Sequence, residues 1–204
     1  MKKSKHTITF LAGRYVTNLL IDELSTDLLF HNLHHTINVV RGVRAIATYL
    51  GLTNEERELL LLAAWFHDSG LTKVYEGHEV ESQKLAKAFL EKAAYPNEKL
   101  SEVLACIAAT KMPQSPKNIL EQVICDADLY HLSLTEYYHL QKMLLAEWRV
   151  VLHKRCTDVE WAIENLAFLE EHQYWTTYGQ QVLQKRKEWN IAKCRHLIIE
   201  GQGS

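Results

Sequence analysis

The feature that most constrains the fold of this chain is the scarcity of helix-breaking residues. Its 204 residues contain only three prolines and eight glycines. Apolar side chains meanwhile recur every three or four positions in nearly every segment, which is the spacing of an amphipathic helix. The sequence therefore predicts an all-α protein. Its length suits a single domain, residues 1–204, built as a helical bundle with a substantial core.

Short polar motifs mark where three of these helices begin. "TNEE" at 53–56, "TDVE" at 157–160 and "SLTE" at 133–136 each place a Ser or Thr three positions ahead of a Glu. That spacing is typical of a capping box, in which the two side chains satisfy free backbone N–H groups at a helix start. We expect the first of these helices to end near His67.

Prolines and the end of the chain predict the irregular segments. The three prolines lie in "AYPNEK" at 94–99 and "TKMPQSPK" at 110–117, and both segments are expected to be loops because proline lacks the backbone donor that a helix needs. The closing "GQGS" is expected to be disordered.

Charge, hydropathy and cysteine content exclude several classes of protein. A formal net charge of -2 lacks the excess of Lys and Arg that binds phosphate backbones, so no nucleic acid partner is expected. The longest apolar run, "LLLLAAWF" at 59–66, is far shorter than the roughly 20 residues that span a bilayer, so no membrane partner is expected. Four cysteines without paired spacing, and no secretory leader, indicate reduced thiols in a cytoplasmic protein.

Three histidines lie close together in the segment "FHNLHHTINVV", residues 30–40. His31 and His35 are four positions apart, so in a helix their side chains lie on one face, about one turn apart. His34 points about 100° away from His35, and we interpret it as a surface residue. The pair on one face is a candidate functional pair if carboxylates or further histidines approach it from elsewhere in the chain.

Two later segments supply such partners. His67 and Asp68 end a strongly hydrophobic helix just before Gly70, a residue type that often ends helices, and at a helix end two adjacent side chains can converge. Asp126 and Asp128 lie in the apolar stretch "VICDADLYHLS", where carboxylates are costly to bury unless a positive group meets them. Each pair alone has an ordinary structural explanation, but the combination predicts a shared site.

The combined set offers two histidines, His35 and His67, and two carboxylates, Asp68 and one aspartate of the "DAD" triplet. Imidazole and carboxylate ligands suit a divalent first-row transition metal. The expected cofactor is therefore Mn, Fe, Co, Ni or Zn.

The order His, then His-Asp, then Asp resembles the HD superfamily of metal-dependent phosphohydrolases over roughly residues 28–135. The stretch "GLTNEERELLLLAAWFHDSG" is similar to the family's second metal-binding helix, and "ICDADL" to its closing aspartate segment. "FHNLHHTINVV" is similar to the "YHNxxHAxxV" motif of the cyclic-nucleotide phosphodiesterase branch. The resemblance implies an HD core at about 28–135. The helical extension at about 136–195 is expected to pack beside this core, because its tryptophans lie at helix-compatible positions that are typical of a core or an interface.

The resemblance also implies roles for individual residues. The second histidine of the motif, a metal ligand, corresponds to His35, and the first, a proton donor to the leaving oxygen, corresponds to His31. His67, Asp68 and Asp128 complete the metal ligands, and Asp68 joins His31 among the catalytic residues. The other aspartate of the triplet is expected to cap or orient, although the two lie close enough to exchange roles.

Three further residues are candidates for contacts with a phosphate group. Some family members carry a histidine about ten residues after the His-Asp pair, for a second metal or for substrate, and here it is His78. Lys111 stands where members with two fully ligated metals usually have another histidine, which favours one well-ordered ion and a second only weakly bound. Lys111 either supplies positive charge for phosphate oxygens or is a solvated loop lysine, and Lys73, five residues past Asp68, is a weaker candidate for the same contact.

The sequence thus predicts a hydrolase in which a metal-bound hydroxide attacks a phosphate mono- or diester of a nucleotide or a similar small molecule, while His31 protonates the departing oxygen. The alternative is a non-catalytic regulatory or scaffolding domain that keeps the metal as a structural element. A spare histidine one turn from a ligand favours the enzyme, because a structural metal needs no proton donor. The oligomeric state is open, and a homodimer is compatible with the sequence.

Overall fold

The computed structural model describes residues 7–202, and within them the chain consists of helices and connecting loops. The helices of that range are α1 Ile8–Glu23, α2 Leu33–Tyr49, α3 Asn54–Phe66, α4 His78–Lys92, α5 Asn97–Ala109, α6 Ile119–Asp128, α7 Tyr137–Val151, α8 Asp158–Glu171 and α9 Gln184–Gln202. The all-α prediction is confirmed. The expected disorder of "GQGS" is wrong for its first two residues, which belong to α9, and its last two lie outside the described residues.

The predicted capping boxes before α3 and α8 are present, each with a Thr side chain that accepts the backbone N–H of the Glu three residues later. The predicted box before α7 is wrong. Ser133 instead ends a short 3-10 helix, Leu129–Ser133, and its hydroxyl donates to the Tyr130 carbonyl at 2.8 Å. Helix α7 therefore begins at Tyr137 without a side-chain cap.

Helix α2 lies against both α3 and α6, and α3 also packs against α5. The apolar run of α3 lies in this core, with Leu60, Leu62 and Phe66 fully buried. No helix among the described residues is both long enough and apolar enough to cross a membrane. All four cysteines are free thiols. The three helices α2, α3 and α6 bring the predicted ligand segments to one end of the core.

Gly70 has a structural role different from the predicted one. It does not end α3, whose C-cap is His67, but lies within a short 3-10 helix, Ser69–Thr72. A Cβ at this position would lie 2.0 Å from the carbonyl oxygen of His78. Only glycine lets the first turn of α4 approach so closely, and this contact places His78 beside the His-Asp pair.

Buried polar contacts attach the C-terminal segment to α6. Asp126 accepts the backbone N–H groups of Trp175 at 2.8 Å and Thr176 at 2.9 Å, and also the Thr176 hydroxyl at 2.7 Å. Asn190, on α9, donates to the Leu132 carbonyl at 2.8 Å. Both carboxylate oxygens of Asp126 are used in these bonds, so this aspartate orients the chain between α8 and α9.

Candidate metal centre and its two cavities

The first turn of α2 and the ends of α3 and α6 meet at one point, where they bring the four predicted ligands together. The Nε2 atoms of His35 and His67 are 3.3 Å apart. Asp128 Oδ1 lies 3.2 and 3.5 Å from these two nitrogens, and Asp68 Oδ2 lies 3.4 and 3.3 Å from them. Two ligand atoms that each lie about 2.1 Å from one ion, at octahedral or tetrahedral angles, are roughly 3.0 to 3.4 Å apart. His35, His67 and Asp128 therefore have the spacing of a shared metal ion, and Asp68 lies within reach of both histidines.

Two further observations show that these residues fit a cation. Asp68 Oδ2 is buried and makes no hydrogen bond within residues 7–202, which is costly for a carboxylate oxygen unless a positive group meets it. His67 donates from Nδ1 to the Ala64 carbonyl at 2.9 Å, so the lone pair of its Nε2 faces the cluster. A backbone partner of this kind is how proteins orient metal-binding histidines.

The electrostatics of the cluster also favour a positive occupant. Burial raises the pKa of Asp68, but His67, His78 and His35 outweigh this effect and hold it well below its ordinary value. Burial likewise raises the pKa of Asp128, but its hydrogen bonds with the two histidines have the larger effect, and the net shift of its pKa is downward. Burial lowers the pKa of His67, yet the two carboxylates raise it well above its ordinary value. The carboxylates are thus ionised at neutral pH, and a proton and a metal ion compete for the same position.

Additional polar groups lie on either side of the cluster. Asp68 Oδ1 is 3.3 Å from His78 Nε2, and His78 Nε2 is 3.9 Å from a carboxylate oxygen of Glu79. The other Glu79 oxygen is buried and without a hydrogen bond among the described residues. Gln114 donates to Asp128 Oδ2 at 3.4 Å. Glu79 directly follows His78 in the segment that the sequence already indicates, whereas no motif marks Gln114, and only its position in the fold connects Gln114 to the site.

His31 is held by a residue that the sequence analysis missed. Glu147, in α7, is fully buried and is hydrogen bonded to His31 Nδ1. It also accepts the backbone N–H groups of Phe30 at 2.9 Å and His31 at 3.0 Å, and the Tyr75 hydroxyl at 2.8 Å. Because Nδ1 is engaged, Nε2 is the nitrogen of His31 that remains to act on a substrate.

The protonation state of His31 follows from the same contacts. Burial lowers its pKa, but the hydrogen bond with Glu147 and the charges of Asp68, Glu147 and Asp128 outweigh burial, and the pKa is raised above its ordinary value. Burial raises the pKa of Glu147, whereas the bond with His31 lowers it, and the net shift is downward. An ionised glutamate therefore supports a protonated histidine, the form that a proton donor needs.

Two cavities border the cluster and differ in their lining. The polar cavity, of about 360 Å³, is lined by charged and hydroxyl groups that include Asp68, Tyr75, His78, Glu79, Thr110 and Lys111. The apolar cavity, of about 290 Å³, is lined mainly by Phe30, Leu129, Leu144, Trp148, Trp161 and Phe168. Four residues line both cavities, namely His31, Met112, Asp128 and Trp148. The cavities therefore meet at His31 and at one of the candidate ligands.

The two predicted lysines occupy different positions. Lys111 lines the polar cavity. Lys73 is exposed and forms an ion pair with Glu23, with 2.6 Å between Nζ and Oε2, and it is not among the residues that line either cavity. His34 is exposed on α2. The structure thus brings Lys111 and His78 to the cluster and leaves Lys73 at the surface.

Comparisons with known proteins agree with this geometry. The sequence profile of the HD domain matches residues 32–133, which is half of the chain. The crystal structure of a protein from Lactobacillus plantarum matches with a TM-score of 0.71 over 100% of both chains, at 17% sequence identity, which shows a common fold. No curated protein matches the chain. Because the matched range spans half of the chain and contains every residue of the ligand cluster, this protein belongs to the HD domain family.

Proposed function

We propose that this protein is a metal-dependent phosphohydrolase that acts on a phosphate mono- or diester of a nucleotide or a similar small molecule. The observation that carries the proposal is the cluster itself. Four distances from an imidazole nitrogen to a carboxylate oxygen, and one between the two imidazole nitrogens, are 3.2 to 3.5 Å. The cluster borders a cavity that also contains a lysine. Family membership supports the same conclusion, because HD domains are generally found in metal-dependent hydrolases.

His35, His67, Asp68 and Asp128 would hold the ion. When bound, a divalent metal supplies Lewis-acid activation of a water molecule and of a phosphoryl oxygen. Lys111 and His78 contact the remaining phosphate oxygens from the polar cavity, with Lys111 acting as a point charge.

The remaining chemical step belongs to His31. The alcohol oxygen that departs from phosphorus carries negative charge unless a proton reaches it. His31 donates this proton from Nε2, because its Nδ1 is bonded to Glu147. Glu147 keeps the ring oriented and protonated, and acts on the reaction only through His31.

We propose one well-ordered ion and a second that is weakly bound. Asp68 Oδ1, His78 and Glu79 lie beside the cluster, but they offer fewer protein ligands than the first position. Anomalous scattering from crystals grown with Mn²⁺ should give one strong peak at the four-residue cluster. Two equally strong peaks about 3.5 to 4 Å apart, the spacing of two-metal hydrolytic sites, would contradict this proposal.

The test of the function combines metal content with turnover. Protein purified without chelator is analysed for metal, and then loaded with Mn²⁺, Co²⁺ or Ni²⁺ and assayed against nucleoside monophosphates, cyclic nucleotides and nitrophenyl phosphates. We expect metal-dependent hydrolysis that Asp68→Ala abolishes together with metal retention. A chain that binds the metal and melts at lower temperature without it, yet hydrolyses no ester, is instead a helical domain with a structural metal.

A further inference from the structure

We propose that the apolar cavity binds the leaving alcohol of the substrate, and that this alcohol is uncharged and carries a ring. The inference rests on the proposed hydrolase function and narrows its substrate class. The polar cavity then holds the phosphate, and the two halves of the ester lie on opposite sides of His31.

The position of His31 is the first argument. In hydrolysis the oxygen of water forms a new bond to phosphorus, and the bond from phosphorus to the alcohol oxygen breaks. That oxygen leaves with the electron pair and takes the proton of His31, and the proton lost by the water restores His31. The donor must therefore reach the oxygen that joins phosphate to alcohol. His31 lines both cavities, so it lies at the border where such an oxygen would be.

The lining of the apolar cavity indicates what kind of alcohol it accepts. Rings of Phe30, Trp148, Trp161 and Phe168 form much of its wall, together with leucines. Aromatic walls favour flat apolar groups, which stack on them or meet them edge to face. Among the described residues no lysine or arginine lines this cavity, so apart from His31 at its border they give it no charge-assisted donor of the kind that holds phosphate or carboxylate groups.

The polar groups of the cavity are mostly engaged with the protein itself. Asn165 accepts the Tyr137 hydroxyl at 2.8 Å and donates to the Trp161 carbonyl at 2.7 Å. The Glu164 carboxylate is paired with Lys154, with 2.6 Å between Oε2 and Nζ. A negatively charged or strongly polar ligand would find few partners here, so the lining favours an uncharged one.

His131 offers one polar contact besides the reactive His31 and the candidate ligands His35 and Asp128, which also line this cavity. Its Nδ1 donates to the Asp128 carbonyl at 3.1 Å. With the hydrogen on Nδ1, Nε2 is left to accept a hydrogen bond in the wall of the cavity. One such acceptor beyond the reactive cluster, among rings, suits an alcohol with at most one or two donor groups rather than a sugar with many hydroxyls.

The size of the cavity sets a limit on the ligand. Its volume of about 290 Å³ equals roughly ten water molecules at about 30 Å³ each, and lies at the lower end of ligand pockets. One ring system fits, whereas an extended polymer does not. Leu144, Trp148, Trp161 and Phe168 come from α7 and α8, outside the matched range 32–133, so the C-terminal helices determine this preference.

The test uses two esters whose leaving alkoxides have similar basicity but of which only one carries a ring. Mn²⁺-loaded protein is assayed with benzyl phosphate and ethyl phosphate. Because a single methylene in an apolar pocket changes kcat/KM by about 10- to 200-fold, we expect benzyl phosphate to be preferred by at least about tenfold. Leu144→Arg should reduce this preference to within about threefold, because it should lower the rate on benzyl phosphate much more than the rate on ethyl phosphate. The matched control is Val150→Arg, which adds the same charge at an exposed position of the same helix and should keep the preference.

A binding measurement separates this inference from the proposed function. Fluorine NMR of 4-(trifluoromethyl)benzyl alcohol, with protein that carries no metal, should show line broadening that Leu144→Arg removes and Val150→Arg keeps. Equal turnover of both esters, with no binding of the alcohol, overturns the inference and leaves the hydrolase function intact. Binding of the alcohol without turnover of any ester supports the cavity as a site for a ring-bearing alcohol and rejects the hydrolase. The absence of both binding and turnover rejects the two proposals together.

Discussion

The ligand cluster and the residues that surround it come from two different regions of the chain. The ligand cluster is formed by α2, α3 and α6, which pack directly against one another. Glu147 and much of the apolar wall come from α7 and α8, which follow these helices in the chain. The reactive centre and its surroundings are therefore separable. Changes in the first region should remove the metal, whereas changes in the second should alter proton donation or the choice of substrate.

The largest effect is expected at His35, and its neighbour His34 provides a matched control. His35→Ala removes an imidazole that lies 3.2 to 3.4 Å from three other ligand atoms, so the variant should retain no metal and lose all metal-dependent hydrolysis. His34 is exposed on the same turn of α2, and His34→Ala should keep both. Metal content by elemental analysis, measured beside turnover, checks the pair. Full metal occupancy in His35→Ala would separate the cluster from metal binding.

The same two regions differ in how far the sequence predicts them. His35, His67, Asp68 and Asp128 are recognisable because each lies in a short motif, and the periodicity of the helices indicates which faces they share. The predicted all-α fold follows from the same periodicity. These signals are local, and α2, α3 and α6 then need only pack against one another to bring the residues together.

Glu147 could not be predicted in this way. It lies 116 residues after His31, and in an amphipathic helix a glutamate is usually solvent-exposed. Its burial depends on tertiary contacts with the segment just before α2, where it accepts the backbone N–H groups of Phe30 and His31, and no local pattern reports these contacts. The sequence does indicate that Trp148 and Trp161 are packing residues. Their position beside the ligand cluster, however, depends on tertiary structure.

A smaller loss is expected for His31→Ala, and it should depend on the ester. The variant keeps the ligand cluster and therefore its metal, but it lacks the donor, so hydrolysis of an alkyl ester should slow by about 10² to 10⁴. A nitrophenyl ester should be hydrolysed nearly as fast as by the unchanged protein, because nitrophenolate leaves without a proton. The ratio of the two rates is the measurement. Equal losses on both esters, with the metal still bound, would assign His31 to binding or to the shape of the pocket.

Glu147→Gln should give a weaker form of the same result, and thereby connect the second region to the first. The amide retains the size of the side chain but lacks the negative charge that holds the His31 ring protonated. We expect a loss on an alkyl ester that is smaller than that of His31→Ala, roughly 10-fold, little change on a nitrophenyl ester, and normal metal content. In His31→Ala, adding Glu147→Gln should have almost no further effect on the alkyl ester. Independent, multiplying losses would mean that Glu147 acts on the reaction by another route.

The smallest effect on catalysis is expected for Asp126→Ala, although Asp126 lies only two residues from a predicted ligand. Its carboxylate accepts three hydrogen bonds from Trp175 and Thr176, and removing it leaves those donors without a partner. The free energy of unfolding should fall by roughly 2 to 3 kcal/mol, which lowers Tm by about 5 to 10 °C in a chain of this size. At temperatures below the Tm of the variant, its metal content and kcat/KM should stay within about threefold of those of the unchanged protein.

Asp128→Ala, measured beside Asp126→Ala, should lose the metal because the Oδ1 atom of Asp128 lies 3.2 Å from His35 Nε2 and 3.5 Å from His67 Nε2. If the folded Asp126→Ala protein also lost its metal, the two aspartates would share the ligand role, and the attachment of the C-terminal helices would be part of the metal site instead of separate from it.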